Sequence, residues 1–194
     1  MKSQDKKNGM RGFIIIVILL FSSRFFDIYT TYLHTPDMSK EGNPIMTFLG
    51  WKGALSLQLV ICIFLAYCSY KCYTTKISVE KNGYNTRQLT LSKFISLFHY
   101  GNTESLVKNS LVKVPLMKPL IYGLGYIATS TLIFAGVFVG ISTTLLINFE
   151  SYKQLYSHYK IPSILIALIL LSCLYFASTF YKKEFANYKK GNEV

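Results

Sequence analysis

The sequence has few charged residues, and this shortage restricts the class of protein that it can encode. Only 15% of its 194 residues are charged, whereas 51% are hydrophobic. A soluble domain spreads its apolar residues periodically, along one face of each helix or strand. Here they are pooled in blocks close to the ~20 residues that cross ~30 Å of hydrocarbon. The pattern argues against a soluble domain and indicates an integral membrane protein.

Acidic residues are especially scarce, since nine Asp and Glu stand against 21 Lys and Arg, for a formal net charge of +12. In a soluble protein this excess would suggest a nucleic-acid partner. In this chain the basic residues flank the apolar blocks, where they orient a protein in a membrane. We therefore predict the lipid bilayer as a partner and no nucleic acid.

Paired cysteines and familiar catalytic motifs are also lacking. The four cysteines form no CxxC pair, so neither a disulfide framework nor a zinc finger is indicated; they are Cys62, Cys68, Cys72 and Cys173. The chain has no GxSxG, no HExxH, no P-loop and no GxGxxG after a strand. The sequence names no cofactor and leaves open whether the protein is an enzyme.

Four apolar blocks are present, and they predict an all-α integral membrane protein. The whole chain, 1–194, is expected to form one polytopic domain with transmembrane helices at about 12–34, 44–73, 116–149 and 162–181. The first block resembles the core of a signal peptide, but no A-x-A-like cleavage site follows it. We predict that it remains as the first spanning helix.

Proline and glycine mark the predicted helix boundaries. Pro36 should end the first helix, and the pair Asn43-Pro44 is typical of a helix start. The second helix is expected to bend near Gly50 and Gly53. The third block is longer than one straight crossing. It is therefore expected to tilt, to extend beyond the bilayer, or to break near Gly123 and Gly125.

The loop 74–115 is expected to hold two small elements. Residues on either side of Asn82-Gly83 alternate in polarity, which favours a β-hairpin. Apolar residues then recur at helical spacing and predict a short amphipathic helix on the membrane surface; they are Leu91, Phe94, Ile95 and Phe98.

The distribution of basic residues predicts the orientation. Four Lys and Arg precede the first helix, eight lie in the stretch 71–118 that contains the loop, and four follow the last helix, against four in the two opposite segments. The positive-inside rule then places both termini and the loop in the cytoplasm. The expected location is a cell membrane, the inner membrane in a Gram-negative bacterium.

The most informative stretch lies at residues 24–44, RFFDIYTTYLHTPDMSKEGNP. At ~100° per residue, five polar residues of the first helix share about a third of its circumference. These residues and three from the following connector form the predicted ligand-binding site: Arg24, Asp27, Thr30, Thr31, His34, Asp37, Glu41 and Asn43. Ionisable groups in a spanning helix are costly, so they usually face protein or water.

Two interpretations of this stretch stay open. Arg24 and Asp27 are three residues apart, so they can neutralise each other as a structural latch. Alternatively, the carboxylate, hydroxyl and amide oxygens bind a ligand such as Na⁺, Mg²⁺ or Ca²⁺. A zinc site is poorly supported because the stretch has a single histidine, His34.

The pattern R-F-F-D-x-x-T-T, then T-P-D, then E-x-N-P in residues 24–44 resembles a signature of small, uncharacterised multi-pass bacterial membrane proteins. These proteins are classed as a domain of unknown function. The resemblance implies a bacterial membrane protein and carries no activity with it.

Three functions follow as hypotheses. The first is binding or transport of an ion or small polar solute at the outer half of the first helix. The second is an intramembrane enzyme acting on a lipid or lipid-linked substrate through Asp27, His34, Asp37 and Glu41. The third is an accessory or structural subunit. In the third case GVFVG would contact a second copy or another membrane protein through Gly136 and Gly140.

Overall fold

A computed structural model describes residues 3–37, 44–75 and 89–190, and these ranges hold helices and connecting turns without a strand. The helices are α1 (Ser3–His34), α2 (Pro44–Thr74), α3 (Leu91–Tyr100), α4 (Leu106–Val112), α5 (Met117–Asn148), α6 (Glu150–His158) and α7 (Ile161–Lys190). Four of them, α1, α2, α5 and α7, are long and apolar enough to cross a membrane. The prediction of an all-helical, multi-pass membrane protein is confirmed, while the predicted β-hairpin around Asn82-Gly83 lies outside the described residues.

Proline and glycine act where the sequence predicted. Helix α1 ends at His34, ahead of Pro36, and α2 begins at Pro44. Within α2 the chain bends at Gly50, whose φ of 63° lies in the region that favours glycine. Just after this bend, the Trp51 Nε1–H donates a 2.7 Å hydrogen bond to the Pro36 carbonyl. This bond ties the start of α2 to the end of α1.

Two of the spanning helices, α1 and α7, are longer than hydropathy predicted. Helix α1 begins at Ser3 rather than near residue 12, and α7 continues to Lys190 rather than ending near 181. Hydropathy measures only the stretch that suits hydrocarbon, and a helix can continue past it. Helix α5 has 32 residues and contains Gly123 and Gly125 without a break. Its length of ~48 Å exceeds the hydrocarbon thickness.

Helix α5 is central, because it contacts α1, α2 and α7. Arg24 and Phe26 lie against Gly136 and Gly140 in the same order, so α1 and α5 run parallel. Helix α2 is antiparallel to α1, since the backbone of Tyr73, near the end of α2, lies beside Gly9, near the start of α1. Helix α7 is antiparallel to α5, as the ring contact between Phe180 and Tyr126 shows.

This arrangement places the connections at two ends. We call the end that carries α3, α4, the start of α1 and the end of α7 the terminal end. The opposite end, with the turn after α1 and helix α6, is called the connector end. Helix α6 is fixed to α5 there by a 2.8 Å hydrogen bond between the Ser142 and Tyr152 hydroxyls.

The position of α3 corrects a prediction. Thr90 caps this helix by accepting from the Lys93 N–H, and Gly101 closes it with a φ of 72°. Phe94 and Phe98, predicted to lie on the membrane surface, are 1% and 2% exposed. They pack against aromatic residues of α5 and α7, among them Tyr122, Phe180, Phe185 and Tyr188. A helical apolar pattern identifies the face to be covered but not the element that covers it.

Candidate polar site between the first and fifth helices

Arg24 occupies the seam between α1 and α5. It is 8% exposed, and its Nη1 lies 3.1 Å from Oδ2 of Asp27 on the next turn of α1. Helical geometry brings side chains three positions apart onto one face, so the ion pair follows from the local sequence. The pair partly compensates the cost of placing a guanidinium inside a spanning helix.

Gly136 makes room for this guanidinium. A Cβ at residue 136 would lie 2.0 Å from Arg24 Nη2 and 2.8 Å from the Ser23 carbonyl oxygen. One turn further along α5, a Cβ at Gly140 would lie 2.5 Å from the Phe26 ring. Both glycines are therefore covered by α1 of the same chain. The GVFVG face thus packs within one chain, which is the more common use of such glycine spacing, and a contact with a second copy or another protein stays a prediction.

Two other nitrogens of the guanidinium are buried without a hydrogen-bond acceptor. Within the described part of the chain, neither Nε nor Nη2 of Arg24 has a partner. A guanidinium carries five N–H donors, and an unsatisfied polar group in a bilayer costs several kcal/mol. Arg24 therefore has free capacity for oxygen acceptors such as a carboxylate, a phosphate or water.

The other predicted site residues on α1 are spread toward the connector end. Thr30 is 4% exposed, and its hydroxyl donates to the Phe26 and Asp27 carbonyls at 3.0 Å each. Thr31 and His34 are half-buried. Polar groups thus line α1 from the buried Arg24 to the helix end.

The connector supplies one described member of the predicted site. Asp37 is exposed, and its Oδ1 accepts a 3.4 Å hydrogen bond from the Thr35 hydroxyl. Glu41 and Asn43 lie outside the described residues. The structure thus pairs Arg24 with Asp27, whereas the Thr30 hydroxyl bonds to its own helix and Asp37 lies beyond the helix end.

An apolar layer closes the terminal side of Arg24. Leu20, one helical turn before Arg24, is fully buried together with Cys62 and Leu65 of α2, which are 2% and 6% exposed. Leu132 of α5, one turn before Gly136, packs against the same layer. Because Asp27, Thr31 and His34 are more exposed than this layer, the polar face is more open toward the connector end.

The hydrogen-bond donors that remain available among the described site residues belong to Arg24. Among the described residues, no group of three His, Cys, Asp or Glu side chains is placed to hold a metal ion. The Asp27 carboxylate faces the Arg24 guanidinium, and the Thr30 hydroxyl hydrogen is bound to its own helix. The donors left over belong to Arg24, and donors bind negatively charged or neutral oxygens.

Sequence reasoning missed the contacts that α5 makes with this region. The four-residue spacing of Gly136 and Gly140 indicates a face for close helix packing, but the contact of Gly136 with Arg24 depends on the tertiary fold. A second polar contact joins α2 to α5, where the buried Ser69 hydroxyl donates to the Gly125 carbonyl at 2.9 Å and lies 3.0 Å from the Thr129 hydroxyl. The spacing of Gly125 and Thr129, four apart on one face, is the signal that could have indicated it.

No known protein family, curated protein sequence or solved structure matches this chain. The chain is an all-helical protein with four helices long and apolar enough to cross a membrane, and the first of them carries the buried Arg24 paired with the half-buried Asp27.

Proposed function

We propose that this protein resides in the cytoplasmic membrane of a bacterium and binds a small polar solute at Arg24. The observation that carries the proposal is the pair of buried Arg24 nitrogens, Nε and Nη2, without acceptors among the described residues. A solute with a carboxylate or phosphate group would supply the oxygens that these donors lack.

The surroundings of Arg24 support binding from one side. The Leu20 layer blocks the terminal side, and the polar face of α1 leads away toward the connector end. Asp27 neutralises part of the guanidinium charge, so a bound solute shares Arg24 with this carboxylate. Transport through the site requires the apolar layer of Leu20, Cys62 and Leu65 to open.

We further propose that the terminal end is cytoplasmic. The support is the excess of Lys and Arg in the segments at that end. Exposed positions at each end allow a test by cysteine substitution and labelling with a membrane-impermeant maleimide on intact cells. Gln154→Cys on α6 should react, and Glu104→Cys before α4 should react only after lysis. The reverse pattern would place the polar site on the cytoplasmic side.

Binding can be tested by thermal unfolding of the purified protein in detergent. The probes are sodium chloride, sodium acetate, sodium succinate and sodium phosphate, together with small zwitterionic amino acids. At ~100 times its Kd a bound probe adds ~2.7 kcal/mol, or roughly 5 to 11 °C in Tm for a chain of this size. We expect a carboxylate or phosphate probe to give such a shift.

Arg24→Lys should abolish the shift, because an ammonium cannot reproduce the planar fork of donors. The matched control is Arg11→Lys, on the exposed side of the same helix. A shift that survives in Arg24→Lys, or the absence of any shift across the panel, contradicts the proposal.

A further inference from the structure

Helix α4 presents apolar side chains outward and a polar side chain inward. Val107 and Leu111 share one face and are 68% and 81% exposed. Asn109 lies roughly 160° away on the helix and is 1% exposed. In water this arrangement is the reverse of the usual one, since amphipathic helices of soluble proteins turn their apolar face to the core.

Hydrogen bonds fix this orientation. The Asn109 Nδ2 donates to the Ser96 hydroxyl and to Oδ1 of Asn102, both at 2.6 Å. After α4, the Leu116 N–H donates to the His99 carbonyl at 2.7 Å. Because these bonds hold the polar side of the segment against α3, the apolar side is turned away from the protein.

The apolar surface continues into α5, and lysines are interleaved with it. Four further large side chains, from the last residue of α4 to the first residue of α5, are at least half exposed: Val112, Val114, Leu116 and Met117. Lys108, Lys113 and Lys118 are exposed along the same stretch. We call residues 106–118 the basic apolar segment.

The segment lies within reach of the membrane surface. Helix α5 measures ~48 Å, which covers the hydrocarbon and both headgroup layers. Only residues 113–116 separate α4 from α5, and four residues extend at most ~14 Å. Helix α4 is therefore held close to the headgroup layer that α5 enters.

We propose that the basic apolar segment docks into the surface of an anionic lipid leaflet. Val107, Leu111 and Val114 would enter the boundary between headgroups and acyl chains, and the lysines would lie at lipid phosphates. Charge decides between this occupant and a second copy of the chain. A symmetric contact would oppose lysines with lysines, whereas anionic headgroups complement them. The segment is remote from Arg24, so the proposal stands independently of the solute site.

Tryptophan fluorescence gives a direct test, because the chain has a single tryptophan, Trp51. Trp51→Phe removes it, and Leu111→Trp then places a reporter on the apolar face of α4. The protein is reconstituted into vesicles of equal phosphatidylcholine and phosphatidylglycerol, with one or the other lipid brominated near the headgroup. Ser105→Trp, at an exposed position before α4, is the matched control, because Glu104 beside it pairs with Lys113 at 3.7 Å and is left in place.

We expect bromolipid to quench Leu111→Trp strongly and Ser105→Trp weakly, with about twofold more quenching by the anionic lipid. Replacing Lys108, Lys113 and Lys118 by Gln should remove that lipid preference and leave the quenching itself. Quenching of Leu111→Trp no stronger than that of Ser105→Trp overturns the proposal. Equal quenching by the two lipids with all three lysines present also overturns it. Protection from both lipids that disappears on dilution of the protein in the bilayer would assign the segment to self-association instead.

Discussion

The seam between α1 and α5 and the aromatic cluster around α3 are packed by different means. The seam is built from small residues and one buried charge, with Gly136 and Gly140 lying against Arg24 and Phe26. The aromatic cluster, at the terminal end, joins Phe94 and Phe98 to Tyr122, Phe180, Phe185 and Tyr188. The seam joins two long apolar helices, whereas the cluster joins the short helix α3 to α5 and α7.

The difference follows from what surrounds each region. Inside a bilayer, lipid tails are as apolar as the helices, so burial of large side chains gives little drive to associate. Helices in a bilayer associate instead through close approach at glycine and through polar contacts. At the terminal end α3 lies outside the spanning helices, where burying aromatic rings away from water is favourable. The stability of the seam should therefore fall when a charge loses its partner or when side-chain volume is added. The stability of the cluster should fall when side-chain volume is removed.

The largest effect is expected from unpairing the buried charge at the seam. Asp27→Leu leaves the Arg24 guanidinium without its carboxylate, which costs about 3 to 5 kcal/mol in comparable buried pairs. The double variant Arg24→Met with Asp27→Leu should recover the stability lost by Asp27→Leu. Thermal unfolding in detergent compares the single variants, the double variant and the unmodified protein.

The double variant also separates a latch from a binding site. If the pair only neutralises itself, the double variant regains both its stability and the function of the protein in cells. If Arg24 binds a solute, the double variant regains stability and stays inactive in a cell-level complementation assay. Recovery of both would contradict the proposed solute site.

A nearly equal loss is expected from the aromatic cluster. Phe94→Ala removes a ring that is 1% exposed, and buried Phe→Ala changes cost about 3 to 5 kcal/mol. The matched control is Phe48→Ala on α2, where the ring is 89% exposed, and its unfolding temperature should hardly change. Similar losses for the two variants would show that α3 is not held by burial of its aromatic face.

A smaller effect is expected from two glycines two residues apart on α5. At Gly125 a Cβ would lie 2.2 Å from the Cys68 carbonyl oxygen, whereas at Gly123 it would meet nothing within 4 Å. Gly125→Ala should separate α2 from α5 and strain the Ser69 hydrogen bonds, at a cost of about 1 to 3 kcal/mol. Gly123→Ala should be neutral or stabilising by up to ~1 kcal/mol, since alanine favours helices. Equal effects of the two substitutions on Tm would mean that close approach at Gly125 does not hold α2 against α5.

The spanning helices could be predicted from sequence because each depends on a local run of apolar residues. The boundaries at Pro36 and Pro44 and the bend at Gly50 were predictable for the same reason, since proline and glycine act on their own backbone. The extension of α7 to Lys190 was not, because Phe185 and Tyr188 pack on α3 beyond the stretch that hydropathy detects.

The candidate site was predictable only in part. The helical spacing of Arg24 and Asp27 placed them on one face, and they form an ion pair. The contact of Arg24 with Gly136 could not be read from either segment alone, because it depends on how α1 and α5 pair. The same limit explains α3 and α4. Sequence periodicity indicated a membrane-facing helix at Phe94 and Phe98, but α5 and α7 cover that helix, and the exposed apolar side chains belong to α4.

The smallest effect concerns protonation of His99 at the edge of the aromatic cluster. Its Nε2 lies 2.6 Å from the Tyr181 hydroxyl, and burial lowers the pKa of His99 below its usual 6.5. The unfolded chain therefore binds this proton more readily than the folded protein. The contribution of the neutral His99 imidazole to the stability of the fold is fully present above about pH 6.5. It declines as the pH falls toward the lower pKa of His99 in the folded protein.

A series of unfolding temperatures between about pH 5 and pH 8 tests this. The unmodified protein should lose stability on the acid side, and His99→Gln should show a flatter profile because its amide does not titrate. Tyr181→Phe removes the hydrogen bond, worth about 1 kcal/mol, and keeps the titration of the imidazole. The unfolding temperature of Tyr181→Phe should therefore be lower than that of the unmodified protein above about pH 6.5, and it should still decline on the acid side. If His99→Gln loses stability in acid as steeply as the unmodified protein, the proton acts elsewhere and the aromatic cluster is insensitive to pH.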